Sequence, residues 1–135
     1  MDDLDERLLR LLKDDARRPF VEIARELGTS EGTIRQRVKK LGQDGTIRRF
    51  TVKTAGRNVK AMIEVAIETN ARMADVSNAI AKWDGVESVW EVSGDFDIVV
   101  VCDVASTAAL NEIVDKIRAF GNVRATRSRL IMKEL

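Results

Sequence analysis

Side chains that can hydrogen-bond to nucleic acid are concentrated between residues 30 and 49. If residues 31–41 form a helix of about 100° per residue, Ile34, Val38 and Leu41 share one face. The opposite face and its flanks then carry Gly32, Thr33, Arg35, Gln36, Arg37, Lys39 and Lys40. Glutamine can pair with adenine, arginine and lysine with guanine, and either cation with phosphate. A solvated polar face is the alternative interpretation, and the residues before this helix favour DNA binding.

Two short helices joined by a tight turn position that face. Ile23, Ala24 and Leu27 recur at near-helical spacing, and Gly28 follows directly, as in a left-handed C-terminal cap. The hydroxyl of Ser30 can then cap the second helix. This helix-turn-helix pattern is typical of proteins whose second helix lies in a DNA major groove. The sequence therefore predicts double-stranded DNA as a partner, contacted by Ser30 and by the face described above.

A further helix and a strand complete the first predicted domain, residues 1–49. Asp3 is the expected cap of a capping box at the start of the first helix. That helix has one apolar stripe, made of Leu4, Leu8, Leu11 and Leu12. The β-branched segment Thr46–Val52 predicts a strand or wing, on which Arg48 and Arg49 are further DNA contacts. Residues 50–59 are predicted to be strand and linker, because they include a stretch of loop composition.

The formal net charge of +1 conceals an uneven distribution. Residues 30–60 contain nine Lys/Arg and two Asp/Glu, whereas residues 61–135 contain eight and twelve. Positive charge is therefore concentrated around the predicted recognition helix, where a phosphate-facing surface needs it. The acidic second half is not expected to bind nucleic acid.

From residue 60 the pattern becomes that of a second domain, residues 60–135. Strand-like alternation and helical periodicity follow in the order βαββαβ, a ferredoxin-like arrangement with an antiparallel sheet, so the fold class is α+β. Both helices would cover one face of that sheet. The other face is expected to expose Met62, Ala66, Val89, Val99 and Val101. So apolar a face predicts a homo-oligomer.

Residues suited to catalysis are scarce. Histidine and tyrosine are absent, and the one cysteine, Cys102, lies in an apolar run where a buried, inert thiol is expected. No metal-ligand cluster or nucleophile–base pair is visible, so neither an enzyme nor a cofactor is predicted. No apolar run approaches the roughly 18 residues of a membrane span, and the acidic N-terminus is unlike a secretory signal. A cytoplasmic protein is predicted.

In this order, the two domains resemble the Lrp/AsnC, or feast/famine, family of bacterial and archaeal transcription regulators. The resemblance covers essentially the whole chain. In the first half it rests on Leu4-Asp5, Glu22 to Ser30, Arg37-Val-Lys-Lys-Leu41 and Asp44-Gly45-Thr-Ile47. In the second half it rests on Gly94-Asp-Phe-Asp-Ile98, Thr126-Arg-Ser128 and Lys133. The chain departs from the usual pattern at Phe96, where the family has tyrosine, and at Gly42, where it has glutamate.

The resemblance implies dimers formed through the sheet of the second domain, which assemble further into tetramers or octamers. It also implies a small effector, usually an amino acid, bound between dimers at the turn of residues 94–97. The implied effector-binding residues are Gly94, Asp95, Phe96, Asp97, Thr126 and Ser128. Backbone amides at a glycine turn can bind a carboxylate, and an aspartate can bind an ammonium group. An ordinary hairpin turn with ordinary strand residues is the alternative.

Two other functions remain open. A DNA-compacting architectural protein of low sequence specificity needs the same basic helix and the same oligomer, and only a comparison of specific with non-specific binding separates it from a regulator. The resemblance also extends to sirohaem decarboxylases, which pair an equivalent helix-turn-helix with this sheet domain. The lack of histidine argues against a tetrapyrrole decarboxylase, because proton transfer and haem ligation favour that residue.

Overall fold

The computed structural model describes residues 1–135, which divide into two compact units, Met1–Lys53 and Thr54–Leu135. Each unit has its own hydrophobic core. None of the helices is both long enough and apolar enough to cross a bilayer.

Three helices form the first unit: α1 (Asp3–Asp14), α2 (Phe20–Leu27) and α3 (Glu31–Gln43). Their buried core consists of Leu8, Leu12, Ile23, Ala24, Ile34 and Leu41. Burying each large aliphatic side chain contributes about 1.5–3 kcal/mol to folding. The predicted tri-helical arrangement, with the helix-turn-helix formed by α2 and α3, is confirmed.

The capping box of α1 lies one residue earlier than predicted. The cap is Asp2, whose carboxylate accepts a hydrogen bond from the Asp5 N–H at 2.9 Å. The Asp5 carboxylate accepts in turn from the Asp2 N–H at 3.2 Å. The predicted cap, Asp3, lies within the first turn, where its charge still interacts favourably with the helix dipole. Asp2 and Asp5 are acids three residues apart, and so are Asp3 and Glu6. Spacing alone therefore could not show which pair forms the capping box.

The strand predicted over Thr46–Val52 is absent. β-branched residues favour extended backbone, but a strand also needs a partner with which to exchange hydrogen bonds. The segment instead turns back on the end of α3. The Asp44 carboxylate accepts from the Thr46 N–H, and the Ile47 N–H donates to the Leu41 carbonyl, both at 2.9 Å. Ile47 packs half-buried against the first core.

The second unit is a four-stranded sheet with two helices. Its elements are β1 (Val59–Ile67), α4 (Met73–Ile80), β2 (Val86–Glu91), β3 (Ile98–Val104), α5 (Thr107–Arg118) and β4 (Val123–Leu130). The strand order is β2-β3-β1-β4, and every neighbouring pair is antiparallel. This confirms the predicted α+β class and ferredoxin-like order. Residues 50–58, predicted to include strand, are irregular up to the start of β1.

Both helices pack on one face of the sheet, and the second core lies between the two layers. Its most deeply buried residues are Ala61, Ile63, Val65, Val76, Ile80, Ile98, Val100, Cys102 and Ile117. Burial raises the pKa of the Cys102 thiol to about 11, so the thiol stays protonated and unreactive near neutral pH. Trp83 and Phe120 stack beside this core, with their ring centroids 5.8 Å apart.

The open face of the sheet differs from the prediction in β2. Val89 pairs with Val100 and therefore faces the helices, as a partly buried member of the core. Trp90 pairs with Val99 and therefore lies on the open face, where Val89 was expected; its side chain is 60% exposed. A register shift near the start of β2 moves its alternation by one residue. A shift of one residue exchanges the two faces of a strand, and periodicity cannot locate it.

Ala66 was also predicted to be exposed, and it is buried, beside a second register shift at the end of β1. The rest of the open face mixes apolar side chains with charged ones. It includes Met62, Glu64, Trp90, Val99, Val101, Asp103, Arg127 and Arg129. The face is therefore less uniformly apolar than alternation alone predicted.

Candidate functional site

The turn between α2 and α3 is fixed by backbone geometry and by one side-chain cap. Gly28 has a φ of +70°, in the left-handed region that favours glycine, and the following Thr29 N–H donates to the Ala24 carbonyl at 2.9 Å. Ser30 Oγ accepts from the Thr33 N–H at 3.1 Å and lies 2.9 Å from the Thr33 hydroxyl. Ser30 and Thr33 therefore orient α3, and their hydroxyls are engaged within the protein.

The exposed side of α3 carries most of the residues predicted to contact DNA. Gly32, Gln36, Lys39 and Lys40 are exposed, and the last three line one shallow cleft. Gln36 and Lys39 make no side-chain hydrogen bond or ion pair within the chain. Their polar groups are therefore available to a partner.

Arg37 joins α3 to the start of α1. Its Nη1 donates to the carboxylates of Asp2 and Asp5, at 3.2 Å for Asp5, whose side chain is 6% exposed. The hydrogen bond from Arg37 is the main cause that lowers the pKa of Asp2 to about 2, and both acids raise the pKa of Arg37. The partners lie 35 and 32 residues away along the chain, so local spacing could not reveal them. The structure thus gives Arg37 a role inside the unit, and DNA contact by it stays a prediction.

We expect the link between Asp2 and Arg37 to make the first unit sensitive to acid. Folding lowers the Asp2 pKa from 3.8 to about 2, so the unfolded chain takes up this proton first as the pH falls. The stabilisation is complete above about pH 4 and is lost between about pH 4 and pH 2. Thermal unfolding followed by circular dichroism should therefore show a smaller fall in midpoint for Asp2→Asn than for the wild type over this range. Equal falls in the two proteins would contradict the link.

The other predicted arginines differ in their surroundings. Arg35 Nη2 lies 2.7 Å from Glu31 Oε1, and its guanidinium sits 5.5 Å from the centroid of the Phe20 ring. Both contacts are on the surface, where such pairs contribute little to stability and exchange readily. Arg48 and Arg49 are exposed on the irregular segment after α3 and make no ion pair within the chain. All three remain accessible to DNA.

In the second unit, Asp97 fastens the turn between β2 and β3 to β1. Its N–H donates to the Val65 carbonyl and its Oδ2 accepts from the Ile67 N–H, both at 2.9 Å. Its carbonyl accepts from the Val92 N–H, also at 2.9 Å. Gly94 has a φ of +119°, which other residues rarely adopt. The turn is therefore held firmly, and one carboxylate oxygen of Asp97 is already used.

Gly94, Asp95 and Asp97 line one open cleft of about 690 Å³. The remaining lining residues are Ile67, Glu68, Thr69, Ala71, Met73 and Arg124. Charges of both signs thus border the same space, and neither Glu68 nor Arg124 makes a side-chain hydrogen bond or ion pair within the chain. Such a cleft can bind a small molecule that carries both a carboxylate and an ammonium group.

Sequence reasoning missed Arg124 for a specific reason. The pairing of β4 with β1 passes directly from Val123 to Ala125, so Arg124 has no partner residue on β1. A bulge of this kind re-aims a side chain and breaks the alternation from which faces are inferred. The only sequence signal is a charge next to the start of a strand. Glu68, the other charged residue of the cleft that was not predicted, follows directly after β1.

Phe96, Thr126 and Ser128 do not line this cleft. The Phe96 ring packs against the Arg127 guanidinium, 4.6 Å from the ring centroid, and Arg127 lies on the open face of the sheet. The register of β4 places Thr126 and Ser128 on the helix-covered side, where Thr126 Oγ1 accepts from Arg118 Nε at 3.2 Å. Within one chain the structure therefore brings together the two turn aspartates and the glycine, but not the ring or the two hydroxyls.

Family models match both units of the chain. The model for the AsnC-type helix-turn-helix domain matches residues 1–42, and that for the Lrp/AsnC ligand binding domain matches residues 60–135. The first match includes most of α3, and the second includes the whole lining of the cleft.

Individual relatives agree with these matches. The HTH-type transcriptional regulator LysM of Saccharolobus solfataricus is 37% identical over 134 residues, which cover 98% of this chain and 94% of the relative. The crystal structure of MtbAldR has a TM-score of 0.88 at 27% identity, over 100% of this chain and 93% of the other. The crystal structure of the leucine response regulatory protein LrpA of Mycobacterium tuberculosis has a TM-score of 0.84 at 28% identity, over 99% of this chain and 94% of the other. The chain therefore belongs to the Lrp/AsnC family of DNA-binding transcriptional regulators.

Proposed function

We propose that the protein reads operator DNA as a homo-oligomer through α3, and that an amino acid bound beside the turn of residues 94–97 modulates this binding. The observation that carries the proposal is the exposed side of α3. Gln36 and Lys39 have no partner there, while Gly28 and Ser30 fix the start of the helix. Groups that are held in place and left unpaired suit recognition of a rigid duplex.

Each unit then has a separate task. Residues 1–49 bind DNA, residues 50–59 connect the units, and residues 60–135 assemble the oligomer and bind the effector. The protein acts by binding rather than by catalysis, without a cofactor, and in the cytoplasm. This division agrees with the charge, since the excess of Lys/Arg is confined to residues 30–60.

On α3, different residues serve different parts of the duplex. Gln36 reads a base edge, because its amide can pair with adenine in the major groove. Lys39 and Lys40 bind phosphate, which contributes affinity without sequence information. Arg35 joins them by exchanging its exposed contact with Glu31 for one with DNA. The absence of a side chain at Gly32 lets the duplex approach the first turn closely.

The open face of the sheet is the surface that a second copy would cover. Met62, Val99 and Val101 are half-buried there, and Trp90 is 60% exposed. These apolar side chains neighbour one another across β1, β3 and β2, and they are the part of this mixed face that suits an interface. A two-fold dimer presents two copies of α3, so operators should contain half-sites one DNA turn apart or a multiple of it.

For the effector, the cleft offers a group for each charged end of an amino acid. Arg124 and the backbone of the Gly94 turn are suited to the α-carboxylate. Asp95 is suited to the ammonium group, because Asp97 already accepts a backbone hydrogen bond. Ile67 and Met73 offer apolar contact for an aliphatic side chain.

The charges of the cleft predict which amino acids bind. Three carboxylates, those of Glu68, Asp95 and Asp97, accompany the one guanidinium, so an amino acid with a cationic side chain should bind best. In calorimetric titrations we expect L-lysine to bind more tightly than L-norleucine, which has a similar stem without the charge. Asp95→Asn should weaken binding roughly tenfold, or about 1.4 kcal/mol. The control Asp115→Asn, an exposed acid on α5, should have no effect.

Two outcomes would contradict this picture in different ways. Tighter binding of norleucine than of lysine would leave an effector site but remove the preference for positive charge. Failure of every amino acid to bind the folded protein would remove the effector from the proposed function, while leaving the DNA-binding proposal to stand on α3.

A further inference from the structure

Three hydrogen bonds fasten the end of the connecting segment to the end of β3 and to Ala105, and one of them joins the Asn58 N–H to the Val104 carbonyl at 3.3 Å. The Arg57 N–H donates to Asp103 Oδ1 at 2.8 Å. Next to it, the Asn58 side-chain amide donates to the Ala105 carbonyl at 3.1 Å. Gly56 lies so close that a Cβ on it would be 2.8 Å from Asp103 Oδ2. We call these contacts between Gly56–Asn58 and residues 103–105 the linker clamp.

Glycine is required at this point of the linker clamp for two reasons. The φ of Gly56 is +91°, a backbone conformation that residues other than glycine rarely adopt. A methyl group there would also meet the Asp103 carboxylate at a distance that real contacts do not reach. The backbone path and the carboxylate are therefore fitted to each other.

The linker clamp contributes little to the core of the second unit. Residues 54–58 are all exposed, and Asp103 lies on the open face, outside the buried cluster. A hydrogen bond between an exposed N–H and a carboxylate replaces bonds to water and adds only modestly to stability. Within the clamp, Asp103 extends the fastened part of the connection from Asn58 back to Gly56.

We propose that Asp103 is a positioning residue for operator binding. By holding Gly56 and Arg57 against β3, it shortens the free length of the connection to the DNA-binding unit. The proposal rests on the proposed function, in which two α3 helices of one oligomer bind two half-sites. The second half-site is then bound at an effective concentration that depends on the length and stiffness of the connection. Releasing the clamp lowers that concentration and relaxes the spacing that the protein requires.

The test uses the full-length protein and three duplexes. One carries two half-sites at the spacing selected by the wild type from random DNA, one has a further half turn of DNA inserted between them, and one has a single half-site. Fluorescence anisotropy at fixed salt gives the three affinities for the wild type, Asp103→Ala, Asp103→Asn and Asp84→Ala. Asp84 is a matched control, because its carboxylate lies 3.8 Å from the Arg57 guanidinium but does not contact the linker backbone. Light scattering gives the oligomeric state of each protein.

For Asp103→Ala, which frees two residues of the connection and leaves Asn58 bonded, we expect about threefold weaker binding to the correctly spaced duplex, with unchanged binding to the single half-site. The ratio of the affinities for the two spacings should fall below its wild-type value. Asp103→Asn keeps an oxygen acceptor for the Arg57 N–H and should restore most of the wild-type ratio, and Asp84→Ala should behave as the wild type. Gly56→Ala, which displaces the linker from the opposite side, should reproduce the loss.

A wild-type spacing ratio in Asp103→Ala would overturn the proposal. So would an equal loss on all three duplexes, or a smaller oligomer, because each would assign Asp103 to folding or assembly instead. If the wild type itself shows no spacing preference, the two-half-site mode of the proposed function fails, and the positioning role fails with it. That result is distinguishable, because the defect is then present before any substitution.

Discussion

Replacing Gln36 with alanine should lower affinity for the operator by about 1–3 kcal/mol and leave affinity for unrelated DNA unchanged. Gln36 is exposed in the middle of α3 and has no partner within the protein, so its amide is free to pair with a base. Removing a base contact weakens only the sequence that offers that contact. The measurement is a pair of anisotropy titrations, one with the operator and one with a scrambled duplex at the same salt concentration.

Lys39→Ala is the matched comparison for Gln36→Ala. An ammonium group that binds phosphate contributes equally on every sequence, so this variant should weaken both titrations alike. It should also reduce the slope of log affinity against log salt by about one. If Gln36→Ala leaves operator affinity unchanged, or weakens both duplexes equally, this residue does not read bases.

The second large effect is expected from Ile34→Ala, which should destabilise the first unit by about 2–5 kcal/mol. Ile34 has no exposed surface and packs in the core shared by the three helices, so truncation leaves a cavity. A loss of this size is a large part of the stability of a small domain. DNA binding should fall with the population of folded first unit. Val21→Ala on α2, where the side chain is 50% exposed, should cost much less.

The positions of the tryptophans make this prediction sharp. Trp83 and Trp90 both lie in the second unit, and the first unit has none. In urea, tryptophan fluorescence therefore reports the second unit, while far-ultraviolet circular dichroism reports the helices of both. Ile34→Ala should shift to lower urea concentration only the part of the dichroism transition that belongs to the first unit. A parallel shift of the fluorescence transition, or no shift at all, would contradict the assignment of Ile34 to a separate core.

Periodicity and cap residues predicted most of the fold. The helix-turn-helix follows from local signals, because Gly28 and Ser30 act within one turn of the helices they end and begin. The predictions fail where the pairing between strands determines the structure. Thr46–Val52 has the composition of a strand but no partner strand in the chain. Val89 lies on the helix-covered face and not on the predicted open face, because a register shift in β2 leaves no mark on composition.

The candidate sites were predictable to different degrees. The exposed face of α3 follows from helical geometry alone, but the engagement of Arg37 by Asp2 and Asp5 depends on how α1 packs against α3. Only the family resemblance points to the turn of residues 94–97, and to the cleft beside it, as a site for an effector. Arg124 joins that cleft through a bulge, and Asp103 reaches the connecting segment 46 residues away along the chain. Long-range contacts of this kind are set by the register of the sheet.

The most direct test of the central claim is binding to the gene's own upstream region against a scrambled duplex, at two salt concentrations, with and without pooled amino acids. An operator-reading regulator should prefer the upstream duplex by about a thousandfold or more, and amino acids should shift that preference. Equal binding to both duplexes that falls steeply with salt would contradict sequence-specific regulation and indicate DNA compaction instead.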